Sequence, residues 1–274
     1  MFTVKSSRLL RRLFFSGIRN ETSPRMKASA IVFAPHQDDE VLGCAGTILL
    51  KRQAGTPVAC VFMTDGRTSH RRFMEEGELR HLRQSEALDA AAILGIQRSD
   101  VHFLGFEDSC LSKFHTRAVE HVLALIHQYH PDEVYVPYQG DGTPDHEETY
   151  TIVVEACWKS ALQLELCEYP IWFWNHWPWV SFQVQCNLTT FRDLLKLLKA
   201  GLGWRLFRAF RSGVYVGGVI ERKRQALAQY RSQMTVFKEG TAWPTLPGVS
   251  NGEFLDCFFQ KFEVFRCRTI SAGS

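Results

Sequence analysis

Residues 28–46 read ASAIVFAPHQDDEVLGCAG, in which an apolar run ends at a cluster of ionisable side chains. The apolar residues 28–34 are typical of a buried β-strand, and the spacing of apolar residues over 41–50 predicts a helix directly after it. Carboxylates at the start of a helix are favoured by the helix dipole, so capping explains one or two of the three acidic residues. Capping does not explain His36, and the alternative interpretation is a metal site.

The alternation of strand and helix continues along the chain. Apolar or β-branched runs predict strands, and an apolar period near 3.6 residues predicts the helices between them. The predicted strands are 28–34, 58–64, 101–105 and 132–137, and the predicted helices are 40–54, 77–95, 115–130 and 146–164. This alternation indicates an α/β, Rossmann-like fold, with a mostly parallel sheet and helices on both faces. The pattern loosens beyond residue 165, which indicates an elaborated C-terminal part.

Three segments stand apart from this alternation. We predict that residues 1–26, which contain the basic stretch RLLRRLFFSGIRN, form an N-terminal extension, and that residues 27–274 form a single domain. The extension suits a frayed helix, a partner-docking arm or a membrane-surface segment. Residues 172–179 contain four tryptophans, which suit either sugar stacking or packing in a core or dimer surface. Residues 189–213 read as a basic amphipathic helix that could contact a membrane peripherally.

The composition is that of a globular protein, with 45% hydrophobic and 22% charged residues. A net charge of +3 is too small to indicate nucleic-acid binding. No apolar run reaches the roughly 18–20 residues that cross a bilayer. The eight cysteines are scattered without a CxxC pair, which favours reduced thiols and a cytoplasmic location, at the membrane periphery if 189–213 binds lipid. A few disulfides are the alternative.

Binding sites in parallel sheets lie at the carboxyl ends of the strands, in the crevice where the strand order reverses. Three predicted strands end in segments rich in Asp, His and Gly, namely PHQDDE (35–40), TDGRTSH (64–70) and PYQGDGTPDH (137–146). The predicted topology alone selects these three segments. Their shared richness in Asp, His and Gly therefore favours a functional site over helix capping.

His36 and Asp39 are three residues apart at one strand end, and His146 follows an equivalent strand end. Two histidines and one carboxylate form a catalytic zinc set that leaves a position for water, whose pKa the metal lowers toward about 7. Asp38, adjacent to Asp39, suits the general base. The same set binds Fe²⁺ in oxygenases, so the sequence does not exclude iron. Each histidine taken alone is more often a surface or core residue than a ligand.

The first strand end resembles the signature of the PIG-L/LmbE-like family of zinc-dependent N-deacetylases, His-x-Asp-Asp-Glu, which here is HQDDE (36–40). The second signature of that family, an acidic residue followed by histidine, resembles PDH (144–146). Further similarity lies in TDG (64–66), in LRQSEALDAAAILGI (82–96), which contains the Arg-x-x-Glu pattern, and in YRSQ (230–233). The resemblance covers most of residues 28–155 and agrees with a Rossmann-like fold.

The resemblance implies that His36, Asp39 and His146 bind zinc and that Asp38 activates the water. The implied reaction removes an N-acetyl group from an amino sugar of the N-acetylglucosamine type and releases acetate. The resemblance also places Arg83 near the sugar. An ion pair of Arg83 with Glu86 on the helix surface is the alternative. Glu40 is then left as structural support at the helix start.

One position departs from the family pattern. Many members carry a further histidine three residues before the last ligand, where Thr143 stands here. A hydroxyl can donate a hydrogen bond but brings no positive charge, so the proton donor to the leaving amine is open between Asp38 and Asp141. Asp108, after the third strand, suits either sugar hydroxyls or a turn. We therefore predict four substrate-binding residues, Arg83, Asp108, Thr143 and Asp141.

The expected substrate is a small amino-sugar conjugate, with lipid-linked and phosphate-bearing forms among the alternatives. The residues that follow the second strand can hold a phosphate or carboxylate or form a solvated loop, and they are Arg67, His70, Arg71 and Arg72. Two other functions are open: an amidase for another N-acyl substrate, and a catalytically weakened sugar-binding homologue. The sequence leaves an oligomer open as well.

Overall fold

The structure, a computed structural model, describes residues 4–176, 178–181, 209–237 and 239–271. Its strands are β1 (Arg19–Asn20), β2 (Ala30–Ala34), β3 (Val58–Thr64), β4 (Val101–Phe106), β5 (Glu133–Pro137), β6 (Leu164–Tyr169), β7 (Ser212–Tyr215) and β8 (Phe262–Ile270). Its α-helices are α1 (Val4–Ser16), α2 (Thr22–Arg25), α3 (Asp39–Gln53), α4 (Glu76–Leu94), α5 (His115–Tyr129), α6 (Pro144–Lys159), α7 (Ile220–Leu227), α8 (Arg231–Met234) and α9 (Glu253–Asp256). None of the helices in these ranges is long and apolar enough to cross a bilayer.

The strands form an eight-stranded sheet in the order β1-β7-β8-β6-β5-β2-β3-β4. β2, β3, β4, β5 and β6 run parallel to their neighbours in this group, whereas β8 is antiparallel to both β6 and β7. The prediction of a mostly parallel α/β sheet is therefore confirmed. The strand order reverses between β2 and β5, because β3 and β4 continue on one side of β2 and β5 and β6 on the other.

Both faces of the sheet are covered by helices. In β2, Ala30, Val32 and Ala34 point into a core that includes residues of α3 and α4. Ile31 and Phe33 point into the opposite core, which includes residues of α5 and α6. Successive side chains of a strand face opposite sides of the sheet, so a strand buried on both faces reads as a continuous apolar run.

The N-terminal elements found most readily from sequence lie close to their predicted bounds. The strand predicted at 58–64 is β3, and the helix predicted at 77–95 is α4, which ends at Leu94 and is followed by Gly95 with a φ of 79°. The helix predicted to reach residue 164 ends at Lys159, and β6 begins five residues later. That extension of the helix was wrong because the charged residues Glu165 and Glu168 conceal the strand pattern of β6.

The segment predicted as an N-terminal extension forms α1, β1 and α2. Phe14 and Phe15 of α1 are buried, with ring centroids 4.8 Å from Trp179 and 5.9 Å from Trp174, respectively. β1 pairs with β7 at one end of the sheet. Arg25 of α2 is also buried and forms ion pairs with carboxylates of β5 and β6. These contacts join the segment to the sheet and to the tryptophan-rich stretch.

The tryptophan-rich stretch divides between two roles. Trp174 and Trp179 are buried in the core, whereas Trp172 is only partly buried and lines a cavity described below. Trp177 lies outside the described residues. The same holds for most of the predicted basic amphipathic helix 189–213, whose residues up to 208 are not described.

The cysteines differ from the expectation of reduced thiols at one place. Cys167 in β6 and Cys267 in β8 are directly opposite in the antiparallel pairing and form a disulfide. The sequence could not predict this pair, because a hundred residues separate its members and only the sheet brings them together. The free cysteines of the described residues are Cys44, Cys60, Cys110, Cys157 and Cys257. Cys186 lies outside them.

Candidate active site

The candidate site lies at the carboxyl ends of β2 and β5, where the strand order reverses. The loop after β2 carries His36 and Asp38, and α3 begins with Asp39. The loop after β5 leads into α6, whose first turn carries His146. Since β2 and β5 are parallel neighbours, their ends place these residues side by side despite the length of chain between them.

His36, Asp39 and His146 form a compact group of potential metal ligands. One ligand atom from each lies within 4.8 Å of the others. Asp39 Oδ2 lies 3.4 Å from Nδ1 of His36 and 3.3 Å from Nε2 of His146. Both ring nitrogens of His146 are buried and have no hydrogen-bond partner in the described part of the chain, and Nε2 is the one that points to Asp39. Two imidazoles and a carboxylate fit Zn²⁺ or Fe²⁺, and this Nε2 is suitably placed for a metal bond.

Asp141 lies behind His146 and not against the expected substrate. Its Oδ2 is 2.8 Å from Nδ1 of His146, and its carboxylate accepts the backbone N–H groups of Ile171, Trp172 and Phe173. Asp141 is fully buried, so the predicted substrate contact or proton donation by this residue does not match its position. A carboxylate this close to the second nitrogen of a ligand histidine is placed to orient the ring.

The electrostatic surroundings of His146 are strongly negative. Burial opposes protonation of the imidazole, yet Asp39 and Asp141 together raise the pKa of His146 to about 9. The same surroundings favour a bound cation, because two carboxylates face one buried imidazole. His36 shows the same balance, with burial lowering its pKa and Asp108, Asp145 and Asp39 raising it well above the ordinary value.

Asp38 has the position and the proton affinity of a general base. It is buried, lines the cavity and lies next to ligand Asp39. Burial raises the pKa of Asp38 to about 7, although Nη2 of Arg83, 3.6 Å from its Oδ1, opposes that shift. A carboxyl group with a pKa near 7 can both take and return a proton at neutral pH.

The backbone of Asp38 is strained, and Glu40 stabilises it. Asp38 has a φ of 130°, a region that non-glycine residues rarely adopt. Its N–H donates to Oε2 of Glu40 at 3.1 Å, and the hydroxyl of Tyr230 donates to the other oxygen of Glu40. The side chain of Asp38 makes no capping hydrogen bond to α3, so helix capping does not account for this residue.

Arg83 and Glu86 of α4 are both buried and do not form a helix-surface pair. Arg83 donates to the carbonyl of Gln37 in the motif loop, residues 35–38 between β2 and α3. Glu86 instead accepts the N–H and the hydroxyl of Ser232 at 2.8 and 2.7 Å. The Arg-x-x-Glu pattern and YRSQ (230–233) therefore belong to one hydrogen-bond network, which stabilises the motif loop.

Asp108 and Asp145 flank His36 on its other side. Nε2 of His36 lies 3.4 Å from a carboxylate oxygen of each. Asp108 lines the cavity and accepts the N–H of Thr68 at 3.1 Å, while Asp145 accepts the N–H of Ser109 at 2.7 Å. Asp145 was not predicted to have a role of its own, although its place immediately before a predicted ligand was a signal. His36, Asp108 and Asp145 also form a second group of potential ligands, which shares His36 with the first.

Thr143 stands at the N-cap position of α6, and its side chain makes no capping hydrogen bond. Its hydroxyl oxygen is buried without a partner among the described residues, and Thr143 is not part of the cavity wall. The structure thus places Arg83 and Asp108 at the cavity, and it places Thr143 and Asp141 away from it.

A cavity of about 300 Å³ adjoins the metal group. The polar part of its wall includes His36, Asp38, Asp39, Arg83, Asp108 and Gln233. The apolar part of its wall includes Leu42, Ile171, Trp172, Leu246, Val249 and Phe254. Trp172 and Phe254 are stacked, with ring centroids 5.1 Å apart. Much of the apolar wall thus comes from the elaborated C-terminal part of the chain.

A second cavity of about 450 Å³ shares four lining residues with the first, and Arg71 and Arg72 also line it. These arginines are exposed and form no ion pair with the described residues. The other two members of the predicted basic group, Arg67 and His70, already contact other residues. Arg67 pairs with Asp65, and buried His70 donates from Nε2 to the Pro244 carbonyl at 2.9 Å.

The sequence model of the family PIG-L, described as GlcNAc-PI de-N-acetylase, matches residues 31–157. A probable N-acetyl-alpha-D-glucosaminyl L-malate deacetylase 2 from Bacillus cereus is 31% identical over 137 residues, which are 48% of this chain and 61% of that protein. A diacetylchitobiose deacetylase from Thermococcus kodakarensis is 32% identical over 129 residues, 44% of this chain and 46% of that protein. The match thus spans about three fifths or less of these relatives.

Solved structures show the same fold over a longer part of the chain. N,N'-diacetylchitobiose deacetylase from Pyrococcus horikoshii aligns with a TM-score of 0.64 and 20% identity over 98% of this chain and 94% of that chain. GalB, a 4-carboxy-2-hydroxymuconate hydratase from Pseudomonas putida, aligns with a TM-score of 0.57 and 14% identity over 90% and 98%. A deacetylase and a hydratase share this fold, so the fold alone does not decide the reaction. His36 and His146 both lie within residues 31–157, the region that matches the PIG-L family model.

Proposed function

We propose that the protein is a metal-dependent hydrolase that removes the N-acetyl group from an amino-sugar conjugate of the N-acetylglucosamine type. The observation that carries this proposal is the group of His36, Asp39 and His146 with the buried, cavity-lining Asp38 beside it. Zinc is the proposed metal, and iron is the alternative that the same donor set accepts. The names of the matched relatives, both deacetylases of N-acetyl sugars, support the substrate class.

In this proposal His36, Asp39 and His146 hold the ion, and Asp141 orients His146. The bound metal supplies a Lewis acid that polarises the acetamide carbonyl and lowers the pKa of water. Asp38 accepts the proton of the attacking water as the oxygen of that water bonds to the carbonyl carbon. Asp38 then returns the proton to the leaving nitrogen as the C–N bond breaks, so that acetate and a free amine are released. This assignment uses one residue for both proton transfers, because Thr143 and Asp141 do not face the cavity.

The two adjoining cavities, of about 300 and 450 Å³, support a conjugate and not a free sugar as the substrate. The first cavity offers the sugar the polar side chains of Asp108 and Arg83 and the ring of Trp172, since aromatic faces pack well on sugar rings. The second cavity, with Arg71 and Arg72, suits a phosphate or carboxylate on the group attached to the sugar. Residues 27–274 are proposed to act as one domain for this reaction.

The experiment compares metal-free protein with protein loaded with Zn²⁺ or Fe²⁺. We expect acetate release from N-acetylglucosamine conjugates only after metal loading, with a higher kcat/KM for anionic than for neutral conjugates. Amine release only from acylated amines without a sugar would favour the amidase alternative. Binding of the conjugates without any release of acetate would favour the sugar-binding homologue. Arg71→Gln with Arg72→Gln should remove the preference for anionic conjugates and leave the neutral ones unchanged.

Removal of the hydroxyl of Tyr230 should lower kcat because it loosens the position of Asp38. Tyr230→Phe deletes the donor to Glu40, which holds the strained N–H of Asp38. Small misplacement of a reacting group costs up to about 100-fold, so we expect a 10- to 100-fold lower kcat with KM and metal content unchanged. Steady-state kinetics and metal analysis of the purified variant test this.

Tyr135→Phe is the matched control for this change. Tyr135 is also buried, and its hydroxyl donates to Glu133 at 2.7 Å, within β5. Both variants should lose some stability, and only the Tyr230 variant should lose turnover. An equal fall of kcat in the two variants, or no fall in either, would show that Tyr230 contributes to stability alone.

A further inference from the structure

The outer face of α1 combines arginines with exposed leucines. Arg8 and Arg12 are exposed and form no ion pair with the described residues. Leu9 and Leu13 are 58% and 56% exposed, which makes them the two most exposed large apolar side chains described. At about 100° per residue, these four positions lie on one arc of roughly 140°. The arc is therefore a continuous surface that is basic along one edge and apolar along the other.

A groove beside this arc extends the positive charge. It has a volume of about 330 Å³ and is lined by Arg8, Arg11, Arg12, Arg224, Asp256, Phe259 and Gln260. Arg224 lies 3.9 Å above the ring of Phe259, which orients its guanidinium group. Asp256 is the one acidic residue of the groove wall, and it lies 3.9 Å from buried Arg11. Arg224 also lies 3.5 Å from Glu221, so four guanidinium groups and two carboxylates leave the groove with a net positive charge.

The helix is held firmly on the side that faces the protein. Phe14 and Phe15 pack on Trp174 and Trp179, and Arg11 donates to the Glu253 carbonyl at 3.0 Å. These contacts fix which face of α1 points outward, so the exposed leucines are not a consequence of fraying. An ordered helix that presents apolar side chains next to unpaired arginines has the chemistry of an interfacial segment.

We propose that the outer face of α1 with the adjoining groove binds the surface of an anionic phospholipid bilayer. The arginines would contact lipid phosphates, and Leu9 and Leu13 would enter the boundary between headgroups and acyl chains. Charge complementarity favours a bilayer as the partner. A protein partner would have to place its carboxylates at fixed positions opposite the arginines of the groove, whereas lipid phosphates are mobile and can move to meet those arginines. This proposal does not depend on the proposed hydrolysis.

The test is co-sedimentation of the full chain with vesicles of phosphatidylcholine, with and without phosphatidylglycerol, at low and high salt. We expect binding only to the anionic vesicles and release at high salt, because salt screens exposed charges. Arg8→Gln with Arg12→Gln should weaken the partitioning about 25-fold, from about fivefold for each basic residue. Leu9→Gln with Leu13→Gln should weaken it about tenfold or more. Glutamine keeps the helix propensity of both residues.

Trp158→Gln is the matched control, since Trp158 is 49% exposed on α6, away from this surface. The control should bind like the unchanged protein, and circular dichroism should show intact folding of all variants. Absence of binding to anionic vesicles would overturn the proposal. So would binding that both α1 variants retain, because another segment, such as 189–213, would then be responsible. Equal binding to neutral vesicles would contradict the role of the arginines.

Discussion

Asp38→Asn is expected to lower kcat by about 10²–10⁴-fold, the usual contribution of a general base, while the metal content stays unchanged. Asparagine has the same size as aspartate and tolerates a positive φ, so the strained backbone of this position should persist. It loses the charge that faces Arg83, 3.6 Å away, and it cannot take a proton from water. Acetate release and metal analysis of the purified variant measure the two effects separately.

Asp132→Asn is the control for this substitution. Asp132 is exposed before β5 and accepts hydrogen bonds from Ser29, far along the strand from the carboxyl ends. Its replacement should leave turnover unchanged. If Asp38→Asn kept the full kcat at saturating substrate, Asp38 would not be the base, and the proposed proton transfers would be wrong.

His146→Ala is expected to abolish both metal binding and acetate release. The side chain is fully buried between Asp39 and Asp141, so its removal deletes one of three protein ligands and leaves two carboxylates without the imidazole between them. We expect about one metal ion per chain in the unchanged protein and close to none in the variant. Metal analysis by mass spectrometry and the acetate assay are carried out on the same preparations.

Loss of folding has to be separated from loss of the metal in this experiment. His146→Gln retains most of the buried volume, and circular dichroism with thermal unfolding shows whether each variant is folded. His102→Ala is the matched control, because His102 is a half-buried histidine that contacts Tyr129 at 2.7 Å and no candidate ligand. A folded His146 variant that still bound one metal ion would contradict the ligand assignment. The second group, of His36, Asp108 and Asp145, would then be the site to test.

Local patterns in the sequence predicted much of the fold and the proximity of His36, Asp39 and His146. Buried parallel strands such as β2 and β3 read as continuous apolar runs, and α4 has a clear helical period and a terminal Gly95. The position of the site followed from topology, because parallel strands bring their carboxyl ends to one edge. The motif loop and His146 therefore lie together at the edge of the sheet where the sequence predicted them.

The environment of each site residue depended on the tertiary structure. Asp141 and Asp108 are both acidic residues in loops after strands, and nothing local distinguishes them. The first is enclosed by the backbone of 171–173, and the second faces the cavity. Glu86 likewise pairs with Ser232, which is far from it in sequence, and not with its helix neighbour Arg83.

The sequence by itself determined the strand–helix alternation, the edge of the sheet that carries the site and the residue types gathered there, because these follow from periodicities a few residues long. Only the tertiary structure decided the packing of α1, the strand β6 with its disulfide to Cys267, and the apolar wall formed by Leu246 and Phe254. The physical reason is that each of these features depends on contacts between residues distant in the chain. The local sequence does not decide whether such a side chain is buried, and only the packing of a distant residue against it displaces the surrounding water.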